Sequence, residues 1–382
     1  MKTTIKLASV ALALSLAGFG ATPAAADVNV GISLASTGPA AALGVPQRNS
    51  VFLLPETIGG EKVNYVVLDD ATDATQAGRN ARKMVSEDNV DVLIGSSATP
   101  TSAAIAEVAI ETETPQITMA PMDLPDEKNF WVFRTAQNFR IMADALAKHM
   151  KDSGVKTLGF IGYADAYGES WIKDITDAAK EVGIEVTNVE RFNRNDTSVT
   201  GQAVKLVAAN PDAILVGASG TPAVLPQVTL QERGYQGKIY QTHGAATKEF
   251  VRVGGKAVEG TIMPVGPVVV AEQLPESHPS KAVGLEYKQK YEEKHGEGSL
   301  SSFGAHLYDA ALILQAAVPE ALKKAKPGTK EFRAALRDAI ENIEEVNALH
   351  GVFNMTPDDH FGHDERAVTM IVIEDGDWKV LD

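Results

Sequence analysis

Cysteine is absent from the 382 residues. The chain therefore has no disulfide, no thiolate metal site, no cysteine nucleophile and no cysteine to carry a lipid. Basic residues are in deficit: 35 Lys and Arg stand against 50 Asp and Glu, a formal charge of −15. Nothing in that balance neutralises phosphates, which argues against nucleic acid as a partner. Long apolar runs are missing after the N-terminus, where no window reaches 18 uninterrupted apolar residues. Low-complexity linkers and solenoid-type repeats are missing as well.

Catalytic signatures are equally scarce. Gly217-Ala218-Ser219-Gly220-Thr221 lacks the glycine spacing of a nucleophile elbow. Gly31 stands alone where a dinucleotide fingerprint would need more glycines, and Gly254-Gly255-Lys256 lacks the upstream glycine of a phosphate loop. The expectation is a protein that is not an enzyme and needs no cofactor or metal.

What is present begins with a targeting segment. Lys2 and Lys6 form a positive n-region, Leu7 to Gly20 an apolar core too short to span a bilayer, and Ala24-Ala25-Ala26 a small-residue cleavage site before Asp27. Removing 26 residues from 382 leaves 356, and losing Lys2 and Lys6 takes the charge from −15 to −17. That length suffices for two domains with their own cores. Cleavage after Ala26 implies an exported, periplasmic protein.

The mature chain alternates strands and helices. Apolar runs predict strands at Val28–Leu34, Val63–Leu68, Val92–Ile94, Gln116–Met119, Trp131–Phe133, Thr157–Ile161, Glu185–Val189, Ala213–Val216 and Lys238–Gln241. Helical spacing lies between them, at Ala74–Glu87, Ile141–Lys151, Ile172–Val182, Gly201–Ala209 and Ala223–Arg233. Such alternation marks a doubly wound α/β fold in two series, the second starting near Gln137. After Gly266 come a Pro-rich loop, three helical segments and two β-like runs, Gly351–Met355 and Ala367–Glu374, read as a closing hairpin around a polar turn.

The chain is organised around Val90 to Ala109. A short buried strand ends at Ile94, Gly95 breaks it, and helical spacing resumes from Pro100. The intervening Ser96, Ser97 and Thr99 gather hydroxyls and unpaired helix N-terminal amides at one spot, which suits a carboxylate. The plainer alternative is that Ser97 or Thr99 only caps the helix.

Two other constellations imitate metal sites. Asp69, Asp70 and Asp73 fall short of calcium-loop spacing and read as Asx turns and a helix cap. Asp358-Asp359-His360 with His363-Asp364 reads as the hairpin's polar turn. Arg134 reads as a buried or interlobe ion-pair residue.

The export signal, VNVGISLASTGPAAALG, LDDATD, IGSSATPTSAA, PQITMAP, the FRT of Phe133 to Thr135, DAYGES and FNMTPDDHFGHDE together resemble the type I periplasmic solute-binding proteins of the branched-chain amino-acid (Leu/Ile/Val-binding) family, which serve ABC importers. The resemblance covers essentially the whole mature chain. It implies two Rossmann-like doubly wound lobes joined by a three-crossing hinge, with ligand held in the cleft by hinge closure. The lobes would be 27–137 plus 267–353 and 138–266 plus 354–382, and the partners the permease subunits of the transporter, met by a monomer.

Carried over position by position, the resemblance matches the family's carboxylate-binding serine to Ser96 or Ser97, with Thr99 nearby. Residues after the fourth strand that serve the ligand ammonium match Ala120 and Met122, and the hydroxyl expected there is gone. The closing tyrosine matches Tyr167, a second tyrosine is replaced by Ser219, and the carboxylate that pairs with the ammonium is replaced by His243. Burying an ammonium without an acceptor costs several kcal/mol, enough to erase micromolar binding. The expected ligand is therefore a carboxylate lacking an α-amino group, an aromatic acid of the benzoate or cinnamate kind, with Met122, Phe303, Tyr167 and Leu43 forming a flat apolar slot. The alternatives are core roles for Met122 and Phe303, a structural role for His243, a branched-chain amino acid or amide as ligand, and a ligand-sensing periplasmic receptor of the same fold.

Overall fold

A computed structural model describes residues 27–381. The expected targeting segment, Met1 to Ala26, lies outside the described residues. No helix among the described residues is long and apolar enough to cross a membrane.

The first sheet holds β1 (Val28–Leu34), β2 (Thr57–Ile58), β3 (Glu61–Asp69), β4 (Val92–Ile94), β5 (Gln116–Thr118) and β6 (Val132–Arg134), in the order β2-β3-β1-β4-β5-β6. The second holds β7 (Thr157–Tyr163), β8 (Glu185–Phe192), β9 (Ala213–Gly217), β10 (Lys238–Gln241) and β11 (Ile262–Val265). A separate two-stranded ladder pairs β12 (Val346–Ala348) with β13 (Gly351–Phe353). The second sheet is completed by β14 (Thr369–Glu374) and β15 (Asp377–Val380), in the order β15-β14-β11-β10-β9-β7-β8.

Helices connect the strands: α1 (Ala41–Ser50), α2 (Ala74–Ser86), α3 (Thr99–Thr112) and the short α4 (Asp126–Asn129) in the first series, then α5 (Phe139–Asp152), α6 (Ala166–Glu181), α7 (Thr200–Ala209), α8 (Val224–Glu232) and α9 (Lys248–Gly254) in the second. Three more follow: α10 (Pro279–His295), α11 (Ser302–Leu322) and α12 (Lys330–Glu341).

Side chains alternate across each strand, so both faces of the first sheet need cover. On one face Leu93 packs with Ala77, Ala81 and Met84 of α2 and Ile105 and Val108 of α3. On the other, Val28, Val30, Ile32, Val92 and Ile94 meet Leu307, Leu314 and Val318 of α11 and Phe332 and Leu336 of α12. The second sheet is covered by α5 and α6, where Phe139, Leu146, Trp171 and Ile175 are buried against it. The chain passes between sheets three times: from β6 into α5, from β11 into α10, and from β13 to β14. Gln137 donates to the Ala367 carbonyl at 2.9 Å, tying the first crossing to the third.

The expected closing hairpin does not form. Gly351–Phe353 pairs with Val346–Ala348, while Thr369–Glu374 pairs antiparallel with β11 and β15. The segment between them is a crossing rather than a turn. Asp359 accepts from the Phe361 and Gly362 amides, and Asp364 from the Arg366 amide, so these carboxylates shape the crossing loop.

Candidate functional site

The C-terminal ends of the central strands of both sheets face one another across a narrow cavity. Such crevices beyond the carboxyl ends of parallel strands are where α/β sheets bind ligands. The cavity measures about 330 Å³ between atoms, the open solvent at its mouth included.

From the first lobe the wall takes Leu43 of α1, Ser97 and Ala98 between β4 and α3, Thr99 at the start of α3, Met119, Ala120 and Pro121 after β5, and Ala136 after β6. From the second it takes Tyr167 of α6, Arg194, Ser219, His243 and Gly244. Phe303 and His306, on the first turn and a half of α11, close one side. Gly95 makes the sharp exit from β4: its φ is +125°, and a Cβ there would lie 2.2 Å from the Ser33 carbonyl oxygen.

Eight of the ten expected site residues line this cavity: Leu43, Ser97, Thr99, Ala120, Tyr167, Ser219, His243 and Phe303. Two do not. Ser96 is fully buried, and its hydroxyl donates to Asp70 Oδ2 at 2.6 Å, beside Ser33, which donates to the same atom at 3.0 Å. Burial raises the Asp70 carboxyl above its usual range, and those hydroxyls pull it back. Met122 packs with Ala106 and Val132 behind the wall, and its carbonyl accepts from Arg134 Nε at 3.0 Å. Met119 lines the cavity where Met122 was expected.

Neither Ser97 nor Thr99 caps α3. The N-cap is Ala98, with no side-chain cap bond, so the amides of the first turn keep no side-chain acceptor. Ser97 Oγ accepts from the Ala35 amide at 3.0 Å and donates to Gln47 Oε1 at 2.5 Å. Thr99 Oγ1 donates to the Pro121 carbonyl at 2.8 Å.

On the second lobe Thr242 Oγ1 gives its one hydrogen to the Ala218 carbonyl at 2.8 Å, so the Tyr167 hydroxyl, 2.8 Å away, is the donor to Thr242. Burial pushes the Tyr167 phenol well up, and it stays protonated. Burial also pulls His243 down to about 3, leaving it neutral, and its Nδ1 is buried without a partner.

Sequence reading missed Arg194 and His306. Arg194 Nε donates to Asp165 Oδ2 at 2.6 Å, one Nη to Ser219 Oγ at 3.2 Å, and the guanidinium stacks 4.0 Å over the Tyr163 ring. Asp165 meanwhile caps α6 by accepting from the Tyr167 and Gly168 amides. Arg194 is the one charged side chain in the cavity wall among the described residues, and no acidic side chain lines it. Arg134 is buried as expected but bonds to the Met122 and Val132 carbonyls and to Asn129 rather than to a carboxylate, and burial lowers it to about 10.

The acidic clusters act as turns and caps. Asp73 caps α2 through the Gln76 amide, and Asp69 accepts from Ser36, Thr37 and Ala71 amides. A third grouping, His306, Asp309 and His350, brings polar atoms within 4.8 Å of one another. It does not fit a metal. The two imidazoles stack at 3.6 Å and 6°, so an ion in the plane of one ring lies far out of the plane of the other. Asp309 is already taken by the Leu349 and His350 amides and by His350 Nδ1.

An extracellular ligand-binding receptor from Rhodopseudomonas palustris is 47% identical with a TM-score of 0.92, covering 93% of this chain and 99% of that one. A Leu/Ile/Val-binding protein homolog from Brucella abortus is 25% identical over 359 residues, 87% of this chain and 86% of that protein. A solute-binding protein of an ABC transporter from R. palustris, in complex with benzoate, is 18% identical over 93% of this chain and 96% of its own, with a TM-score of 0.76; that likeness shows the fold alone. These relatives are binding proteins rather than enzymes. With the match to the family described as periplasmic binding protein running over residues 27–377, the chain belongs to that family, among its type I, Leu/Ile/Val-binding members.

Proposed function

We propose that this protein is the substrate-binding subunit of an ABC importer and captures a small aromatic carboxylate, of the benzoate or cinnamate kind, by closing its lobes. The observation that carries the reading is the charge of the wall: one cation, Arg194, and no carboxylate. An α-amino acid would bring an ammonium that finds only carbonyls and neutral side chains, at a cost of several kcal/mol. A carboxylate meets Arg194 from one lobe and the uncapped first turn of α3, beside Ser97 and Thr99, from the other. Leu43, Met119, Tyr167 and Phe303 supply the apolar faces for a ring.

Binding energy from both lobes favours the closed state, and the surfaces aligned by closure would meet the permease. The leader would be cleaved after Ala26 in the periplasm, and the monomer would divide into lobes 27–137 plus 267–353 and 138–266 plus 354–382. The test is a thermal-shift screen of ligand-stripped protein against aromatic monocarboxylates and aliphatic α-amino acids. Ligand at a hundredfold over its Kd adds about 2.7 kcal/mol, roughly 4 °C for a chain this long. A rise with the acids alone supports the reading; a rise with leucine or valine alone overturns it.

A further inference from the structure

The cavity has a second polar station besides the one assigned to the carboxylate. His306 Nδ1 lies 3.2 Å from the Thr135 carbonyl oxygen, which can only accept, so the ring hydrogen sits on Nδ1. Burial among His350, His243 and His363 holds this imidazole well below its ordinary pKa, so it is neutral and Nε2 carries a lone pair. Parallel stacking on His350 fixes the ring, and His350 is in turn held between Asp309 Oδ2 at 2.7 Å and Ser302 Oγ at 2.9 Å. Nε2 of His306 has no partner among the described residues and is not shut away from the cavity the residue lines. His243 offers no such fixed acceptor, because nothing bonded to its Nδ1 selects a tautomer.

The segments that anchor the two stations lie two strand positions apart in each sheet. Thr135 follows β6 and Ser97 follows β4, two strand positions apart. On the second lobe, Gly266 follows β11 and packs against His350, while Ser219, which Arg194 reaches, follows β9, again two positions away. Two strand spacings are about 10 Å. A lone carboxylate cannot bridge that interval, whereas a ring bearing polar groups at both ends can.

We propose that the ligand carries a hydroxyl donor at the end remote from its carboxylate and that His306 Nε2 accepts it, so the preferred class is hydroxylated aromatic acids over their unsubstituted parents. This rests on the carboxylate reading above. A buried acceptor left unpaired by the parent acid discriminates by roughly 10- to 100-fold.

The test is calorimetric titration of the ligand-stripped protein with 4-hydroxybenzoate, benzoate and 4-methoxybenzoate. The hydroxyl acid should bind roughly 10- to 100-fold tighter than the other two, since a methoxy group cannot donate. In a His306→Leu protein that melts cooperatively, that ratio should fall to about one, whereas His306→Gln, whose amide oxygen accepts, should keep part of it. Equal affinities for the three acids on the native protein, or a ratio that survives His306→Leu, overturn the hydroxyl station and leave the carboxylate reading standing. If leucine binds and none of the acids does, both fall. Should His306→Leu not fold, the native comparison and His306→Gln decide.

Discussion

Replacing Arg194 by Met removes the one cation from the cavity wall, and with it the guanidinium that stacks on Tyr163, while keeping a flexible apolar side chain of similar length. The fold should survive. Asp165, the partner left behind, is about a quarter exposed and still accepts from the Tyr167 and Gly168 amides, so α6 keeps its cap. Loss of a partly exposed ion pair costs about 1 kcal/mol of stability. Binding should suffer more. A charge-assisted hydrogen bond to a carboxylate contributes about 1.5–3 kcal/mol, which at 1.4 kcal/mol per decade is roughly a 10- to 150-fold rise in Kd. Arg194→Lys should fall between, because an ammonium has the charge without the fork that reaches Asp165, Ser219 and a ligand together. Calorimetry with benzoate, after thermal melts show all three proteins folded, reads the result. An Arg194→Met protein that melts like the native one and binds benzoate within about threefold of it would sink the electrostatic argument.

Met122→Ala should cost about 2–4 kcal/mol in urea unfolding, because the side chain packs with Ala106 and Val132 behind the wall; a large rise in Kd without that loss would return Met122 to the ring slot. Gly220→Val should hold the lobes apart, since Gly220 has a φ of +59° and a Cβ there would come 3.0 Å from Leu43 Cδ1 and 3.3 Å from Ala42 Cβ of the opposite lobe. Small-angle scattering should then show no compaction with saturating ligand, and compaction like the native protein's would refute Leu43–Gly220 as a closure contact. Stability should also fall on acidification. His243 and His363 have folded pKa values of about 3 against 6.5 when exposed, so the folded state binds fewer protons and stability is lost as pH drops from 6.5 towards 3. At pH 5 the loss is about 2 kcal/mol for each, and a melting temperature unchanged between pH 7.5 and pH 5 would contradict their neutral burial.

The parts of this molecule that are legible in sequence are those determined within one strand or one turn. The bounds of β1, β4 and β10 follow from apolar runs, and the Gly95 exit into α3 follows from a break and a restart of periodicity. The strand at Ile262–Val265 escaped notice because Pro264 interrupts its pattern, yet it pairs with β14 on one side and β10 on the other. Site residues failed or succeeded by the same rule. Ser96 and Ser97 are neighbours of one kind in the sequence, and only the register that brings Ser33 of β1 and Asp70 under β4 turns the first inward and leaves the second on the cavity. Arg191, near the end of β8, and Arg194, just beyond it, are three residues apart. The first reaches exposed Glu169, while the second is drawn to Asp165, which lies 29 residues away and caps α6. Inside an apolar helix His306 reads as one more core residue, until Thr135 on the first crossing fixes its tautomer. Each residue that sequence reading misplaced takes its role from a partner on another strand or another crossing. Where two lobes build one cavity, the family-wide turns are written locally, and the side chains that choose the ligand are defined by contacts the chain makes only when both sheets are assembled.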